Sequence, residues 1–128
     1  MHPCGTETIL VADDDDTLRR VTVLVLSTHG YRVLEARGGD AALLIAEANP
    51  DIALVLTDVV MPGLSGSALV ARLQVLNPSL RAIFTSGLTN DEIARRGVLE
   101  PGFHFLQKPV SMAALLSQVR AVLDLPAT

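Results

Sequence analysis

Five short apolar runs recur along the chain: Thr8 to Ala12, Arg32 to Ala36, Ala53 to Thr57, Leu80 to Phe84 and Phe103 to Leu106. Each is followed by polar or turn-forming residues and then by a stretch with helical spacing. Strands that alternate with helices form a parallel sheet covered on both faces, joined by right-handed crossovers. The near-continuous apolar run Ala53-Leu54-Val55-Leu56-Thr57 suits the centre of such a sheet. Aromatic residues make up only 3% of the chain, so the core is expected to be aliphatic. At 128 residues, five β-α units fill one α/β domain with no repeat and no low-complexity segment.

The helical stretches have legible ends. Thr17 to Thr28 places Leu18, Val21 and Val25 at helical spacing, and Gly30 lies just beyond. Asp40 is expected to cap a helix that runs to about Asn49, before Pro50. A third helix is expected from Ser65 to Leu76, closed by Asn77-Pro78, and a weaker one from Asn90 to Leu99. Ser111 is expected to cap a last helix carrying Leu115, Leu116, Val119, Val122 and Leu123. Arg19–Arg20 and Arg95–Arg96 read as solvated helix faces.

Several function classes fall away on composition. Mean hydropathy is +0.41, yet the longest stretch without a charge, Val59 to Ala71, is interrupted by Pro62 and two glycines and cannot span a bilayer. The first residues show no secretory pattern, so the chain is expected to be soluble and cytoplasmic. The single cysteine, Cys4, can form no internal disulfide. With a net charge of −4 and no basic cluster, direct nucleic-acid binding is not expected. His2 and His29 have no companion ligands, and His104 reads as a rim or packing residue.

In an open parallel sheet, ligands bind beyond the carboxyl ends of the strands, where the winding reverses. The residues that fall there are Asp13 and Asp14 after the first run, Asp58 after the third, Ser86 after the fourth and Lys108 after the fifth. Three carboxylates in one concavity repel one another, and a hard divalent cation such as Mg²⁺ relieves that repulsion through oxygen ligands. One carboxylate remains available as a nucleophile toward phosphorus, giving an acyl phosphate. The cation and Lys108 would neutralise the transferring group, and the Ser86 hydroxyl would bond a phosphate oxygen. Asp15 and Asp16 read instead as helix-capping acids.

The chain resembles the receiver domain of bacterial response regulators from about Glu7 to Asp124. The resemblance rests on Ile9-Leu10-Val11-Ala12-Asp13-Asp14, Leu56-Thr57-Asp58-Val59-Val60-Met61-Pro62-Gly63, Phe84-Thr85-Ser86-Gly87 and Phe105-Leu106-Gln107-Lys108-Pro109. It implies a doubly wound, flavodoxin-like three-layer (βα)5 fold with strand order 2-1-3-4-5. The domain would span residues 7–125, leaving tails at 1–6 and 126–128. It implies that Asp58 is the phosphoacceptor and that Asp14, Asp58 and the backbone carbonyl of Val60 hold Mg²⁺ (or Mn²⁺), with Asp13 acting largely through water. Ser86 and Phe105 match the family's switch residues, Lys108 its phosphate-pairing lysine, and the Lys108-Pro109 bond is often cis there. A core Phe and a switch Phe read alike at position 105.

Met61 to Gly66, Thr85-Ser86-Gly87 and Gly97 to Gly102 further resemble receivers at the C-termini of hybrid sensor histidine kinases. Leu88 and Val110 depart from that subgroup, where Tyr and Phe are common. The implied partner is a histidine kinase or a histidine phosphotransfer protein, with homodimerisation or intramolecular kinase domains as further partners. Two rival functions are readable. Asp13-x-Asp15-x-Thr17 also fits the phosphatases that resemble haloacid dehalogenases, with Asp13 as nucleophile, although no acidic pair follows Lys108. A receiver fold used only as an unphosphorylated docking module is the other.

Overall fold

The computed structural model describes residues 5–87 and 104–125. Five parallel strands, β1 (Thr8–Ala12), β2 (Arg32–Ala36), β3 (Ile52–Asp58), β4 (Arg81–Ser86) and β5 (Phe105–Gln107), form one sheet of order β2-β1-β3-β4-β5. Helices α1 (Asp16–Thr28), α2 (Gly39–Ala48), α3 (Gly66–Leu76) and α4 (Met112–Leu123) complete the described elements. This is the expected doubly wound, flavodoxin-like arrangement. The expected helix from Asn90 to Leu99 lies outside the described residues.

Side-chain alternation along the strands separates two cores. Ile9 and Val11 of β1, with Leu54 and Leu56 of β3 and Ile83 of β4, pack under Leu26 of α1 and the buried residues of α4. Leu10 and Ala12, with Val55 and Phe84, face Ala42 of α2 and Leu69, Val70 and Leu73 of α3. The sheet is therefore covered by α1 and α4 on one side and by α2 and α3 on the other. Truncating a fully buried residue such as Leu54 or Leu69 to Ala costs about 2–5 kcal/mol.

Serines cap two helices: Ser111 as expected, and Ser65, expected as the first residue of the third helix, at the position just before it. The Ser65 hydroxyl accepts from Ala68 N–H at 3.3 Å and the Ser111 hydroxyl from Ala114 N–H at 3.1 Å. Asp40, expected as a cap, sits instead inside the first turn of α2, with Gly38 at the cap position. An acid is equally suited to that turn, where it faces the positive end of the helix dipole.

Helix α1 differs more. Leu18 and Val21 lie on its exposed side, 42% and 54% accessible, whereas Leu26 and Arg19 are buried. The inward face is rotated by about one residue from the apolar spacing. The cause is at the helix start, where Asp15 caps Leu18 N–H at 3.0 Å and the Arg19 guanidinium turns inward to the Asp13 carbonyl at 3.1 Å. Arg19 is thus a buried anchor and not the solvated residue expected. No helix among the described residues is long and apolar enough to cross a membrane.

Candidate phosphoacceptor site

The chain passes from β1 to β2 on one side and then crosses back to β3 on the other side of β1, so the carboxyl ends of β1 and β3 flank the point where the winding reverses. β1 ends at Ala12, and Asp13 and Asp14 follow at once. The Asp13 amide continues the sheet by donating to Ala36 O at 3.2 Å, and Asp13 Oδ1 accepts Asp15 N–H at 2.9 Å. Asp58 is the last residue of β3. Ligand oxygens of Asp13, Asp14 and Asp58 lie within 4.8 Å of one another, with Asp13 buried, Asp58 half-buried and Asp14 exposed.

Lys108 reaches this cluster from the far end of β5. Its Nζ lies 3.1 Å from Asp13 Oδ2 and 3.0 Å from Asp58 Oδ2. A hydrogen bond of 2.7 Å from Lys108 N–H to Ser86 O anchors its backbone, and the Lys108-Pro109 peptide is cis. Burial raises the Asp58 carboxyl above its ordinary pKa, reinforced by the Asp13 charge and opposed by Lys108 and a backbone hydrogen bond from Val60. For Lys108, burial acts downward, but the hydrogen bond and charge of Asp58, with Asp13, outweigh it and raise the pKa. One ammonium among three carboxylates leaves the site short of positive charge.

The loop after β3 is shaped by two glycines. Gly63 adopts a positive φ of 76°. Gly66, the first residue of α3, packs so closely on the Asp58 carbonyl that a Cβ there would overlap it, and its N–H donates to Val59 O at 3.0 Å. Helix α3 is thereby seated against the backbone that presents Asp58. The Val60 side chain is 60% exposed beside this loop.

Ser86 lies within β4, one residue past the register partner of Asp58, and is buried. The strand extends two residues beyond the expected end at Phe84, because Thr85 and Ser86 pair with Leu106 and Gln107. Phe105 pairs with Phe84 and packs, half-buried, against the core under α2 and α3. Val110 lines an apolar groove of about 110 Å³ between α1 and the start of α4, while Leu88 lies outside the described residues. His29 bonds the Val25 carbonyl through Nδ1 at 2.8 Å, and the backbone carbonyl of His104 accepts Phe84 N–H at 2.9 Å.

Sequence reasoning brought Asp13, Asp14, Asp58, Ser86 and Lys108 to one rim, and the fold gathers them there. It missed Arg19 and Gly66. The first was masked by its polarity, and the second is detectable only as a glycine at the first helical position after a serine cap.

The response regulator receiver domain family matches residues 9–120. The chain belongs to that family. It is 36% identical over 121 residues to the sensor kinase CckA of Brucella abortus, covering 94% of the chain but only 13% of the kinase. It is 30% identical to the receiver protein CpdR of the same organism, covering 90% of the chain and 95% of that protein. The crystal structure of the receiver domain from hybrid histidine kinase CckA superposes with a TM-score of 0.78 at 35% identity, covering 91% of this chain and 99% of that one. The chain is thus a phosphoacceptor receiver, a signalling module of two-component systems. Neither the phosphatase reading nor the docking module gains a supporting observation.

Proposed function

We propose that Asp58 is the phosphoacceptor, taking a phosphoryl group from a phosphohistidine of a histidine kinase or a histidine phosphotransfer protein. The observation that carries this is the placement of Asp58 at the end of the central strand, within hydrogen-bond reach of Lys108 and beside two further carboxylates. An Asp58 oxygen forms the new bond to phosphorus as the phosphorus–nitrogen bond breaks and the imidazole leaves. Lys108 pairs with the phosphoryl oxygens, and the Ser86 hydroxyl donates a hydrogen bond to one of them. Phe105 then moves toward the space beside Ser86, shifting a population between two arrangements of the same fold. Gly87, where a Cβ would meet nothing within 4 Å, leaves the approach open to the water that resets the site.

Asp13, Asp14 and Asp58, with the Val60 carbonyl, are proposed to hold Mg²⁺, with Mn²⁺ as a substitute. The fit rests on the donor set. Hard carboxylate oxygens within 4.8 Å of one another suit a small divalent cation that prefers oxygen ligands. Bound there, the cation would neutralise negative charge on the transferring group. The domain is proposed to span residues 7–125, since Glu7 pairs with Arg120 of the last helix at 2.6 Å. A cytoplasmic setting, a second copy or attached kinase domains as partners, and no direct contact with nucleic acid complete the reading.

Mass spectrometry after incubation with acetyl phosphate and Mg²⁺ tests it. The expected result is one added phosphate, lost in Asp58→Asn and lost on chelation of the metal. A phosphate retained in Asp58→Asn but abolished by Asp13→Asn would overturn the assignment in favour of the phosphatase chemistry, and no phosphate at all would favour the docking module.

A further inference from the structure

Arg19 is 2% exposed, among the largest fully buried side chains described. Burying a guanidinium is costly, and the cost is offset only where its donors are used. Nη1 donates to the Asp13 carbonyl at 3.1 Å, and Nη2 lies 2.7 Å from Asp16. Nε makes no hydrogen bond among the described residues, and Glu35 Oε1 lies 4.0 Å from it. A side chain held only to stabilise the fold would gain more as an aliphatic residue, since a buried donor left unsatisfied is a net loss.

The carbonyl that Arg19 grips belongs to the peptide unit joining Asp13 to Asp14, the two carboxylates contributed by this loop. The other features of Asp13 are also engaged: its N–H by Ala36 O, Oδ1 by Asp15 N–H and Oδ2 by Lys108. Arg19 holds the carbonyl side of the intervening peptide directly, while the bond from Asp15 N–H to Asp13 Oδ1 closes the turn around it. If that peptide turned, Asp14 would swing relative to Asp13 and the oxygen cluster would open.

We propose that Arg19 is a positioning residue for the cation site, holding the Asp13–Asp14 peptide so that the carboxylates converge. The inference rests on the metal reading given above. Two effects oppose each other. The positive charge of Arg19 disfavours a nearby cation, whereas the fixed peptide favours it, and residues that orient metal ligands typically contribute about 10–100-fold in affinity. Positioning is therefore expected to prevail.

Isothermal titration of the whole chain with Mg²⁺ decides between the two effects, using wild type, Arg19→Met and Arg19→Lys. Arg19→Met, similar in length and uncharged, is expected to bind Mg²⁺ about tenfold more weakly. Arg19→Lys, which keeps one donor for the Asp13 carbonyl, should recover part of that loss. In metal-free protein, amide exchange should accelerate at Asp13 and Asp15 in Arg19→Met while the amides of β3 and β4 stay protected. Equal or tighter Mg²⁺ binding by Arg19→Met would overturn the proposal. If Arg19→Met does not fold, Arg19→Gln, uncharged and two bonds shorter than the reach of Nη1 to the Asp13 carbonyl, carries the test, and wild-type Mg²⁺ affinity together with wild-type exchange at Asp13 and Asp15 in that variant would overturn the proposal. Absence of Mg²⁺ binding by wild type would sink the metal reading itself, leaving the exchange measurement to judge the hold on the peptide.

Discussion

The two ends of β1 each carry a basic side chain between two carboxylates, yet they do opposite things. Before the strand, Arg120 grips Glu7 through both nitrogens at 3.1 and 2.6 Å and reaches Asp124 at 2.7 Å. The hydrogen bonds from Arg120 hold the Glu7 carboxyl down at about 2. After the strand, Lys108 lies between Asp13 and Asp58 at similar distances, but burial drives the Asp58 carboxyl upward. The planar guanidinium meets its carboxylate in a two-point match at a partly solvated surface. The single ammonium instead faces three acids in a concavity. One arrangement satisfies its charges and ties the first strand to the last helix. The other leaves charge unsatisfied, which is what a site for cations and phosphoryl groups requires.

Removing the base at each end should separate these roles. Lys108→Met is expected to slow phosphorylation by acetyl phosphate by roughly 100-fold or more, the scale seen when a single donor to a developing charge is lost. A rate within a few-fold of wild type, measured by intact mass over time, would show that Lys108 has no part in transfer. Arg120→Met is expected to leave that rate unchanged while lowering stability by about 1 kcal/mol, since the pair is partly exposed and screened by solvent. In thermal melts that corresponds to a fall of about 3–5 °C for a domain of 128 residues. A slowed phosphorylation in Arg120→Met would erase the distinction between the two ends.

The smallest effect is a difference in the slope of stability against pH. Glu7 has a lowered pKa, so its contribution is present above its ordinary value of 4.5 and lost as the pH falls toward about 2. Asp58 has a raised pKa, so its native state holds a proton more tightly than the unfolded chain. Its contribution is present in acid and is lost as the pH rises from 3.8 through the native value. Urea denaturation between pH 2 and 7 should therefore show a shallower acid limb in Glu7→Gln and a steeper rise with pH in Asp58→Asn. Changes of the same sign in both variants would contradict the opposed shifts.

Much of this molecule was legible in the amino-acid order. Apolar runs located the strands, serines before Gly66 and Met112 located two helix starts, and polar residues after successive runs named Asp13, Asp14, Asp58, Ser86 and Lys108. These features are local. A strand's period, a cap and a strand end are each decided by residues adjacent in the chain, so they survive without knowledge of the fold. What the order alone did not determine depends on contacts between distant segments. The face that α1 buries follows from Arg19 reaching the end of β1, so the spacing of Leu18 and Val21 misled. The closeness of Gly66 to the Asp58 carbonyl follows from where α3 docks. Lys108 meets Asp13 across 95 positions and Asp58 across 50 only because β1, β3, β4 and β5 lie side by side. The opposite shifts of Glu7 and Asp58 have the same origin, because burial and the distance between charges belong to the packed structure and not to either residue.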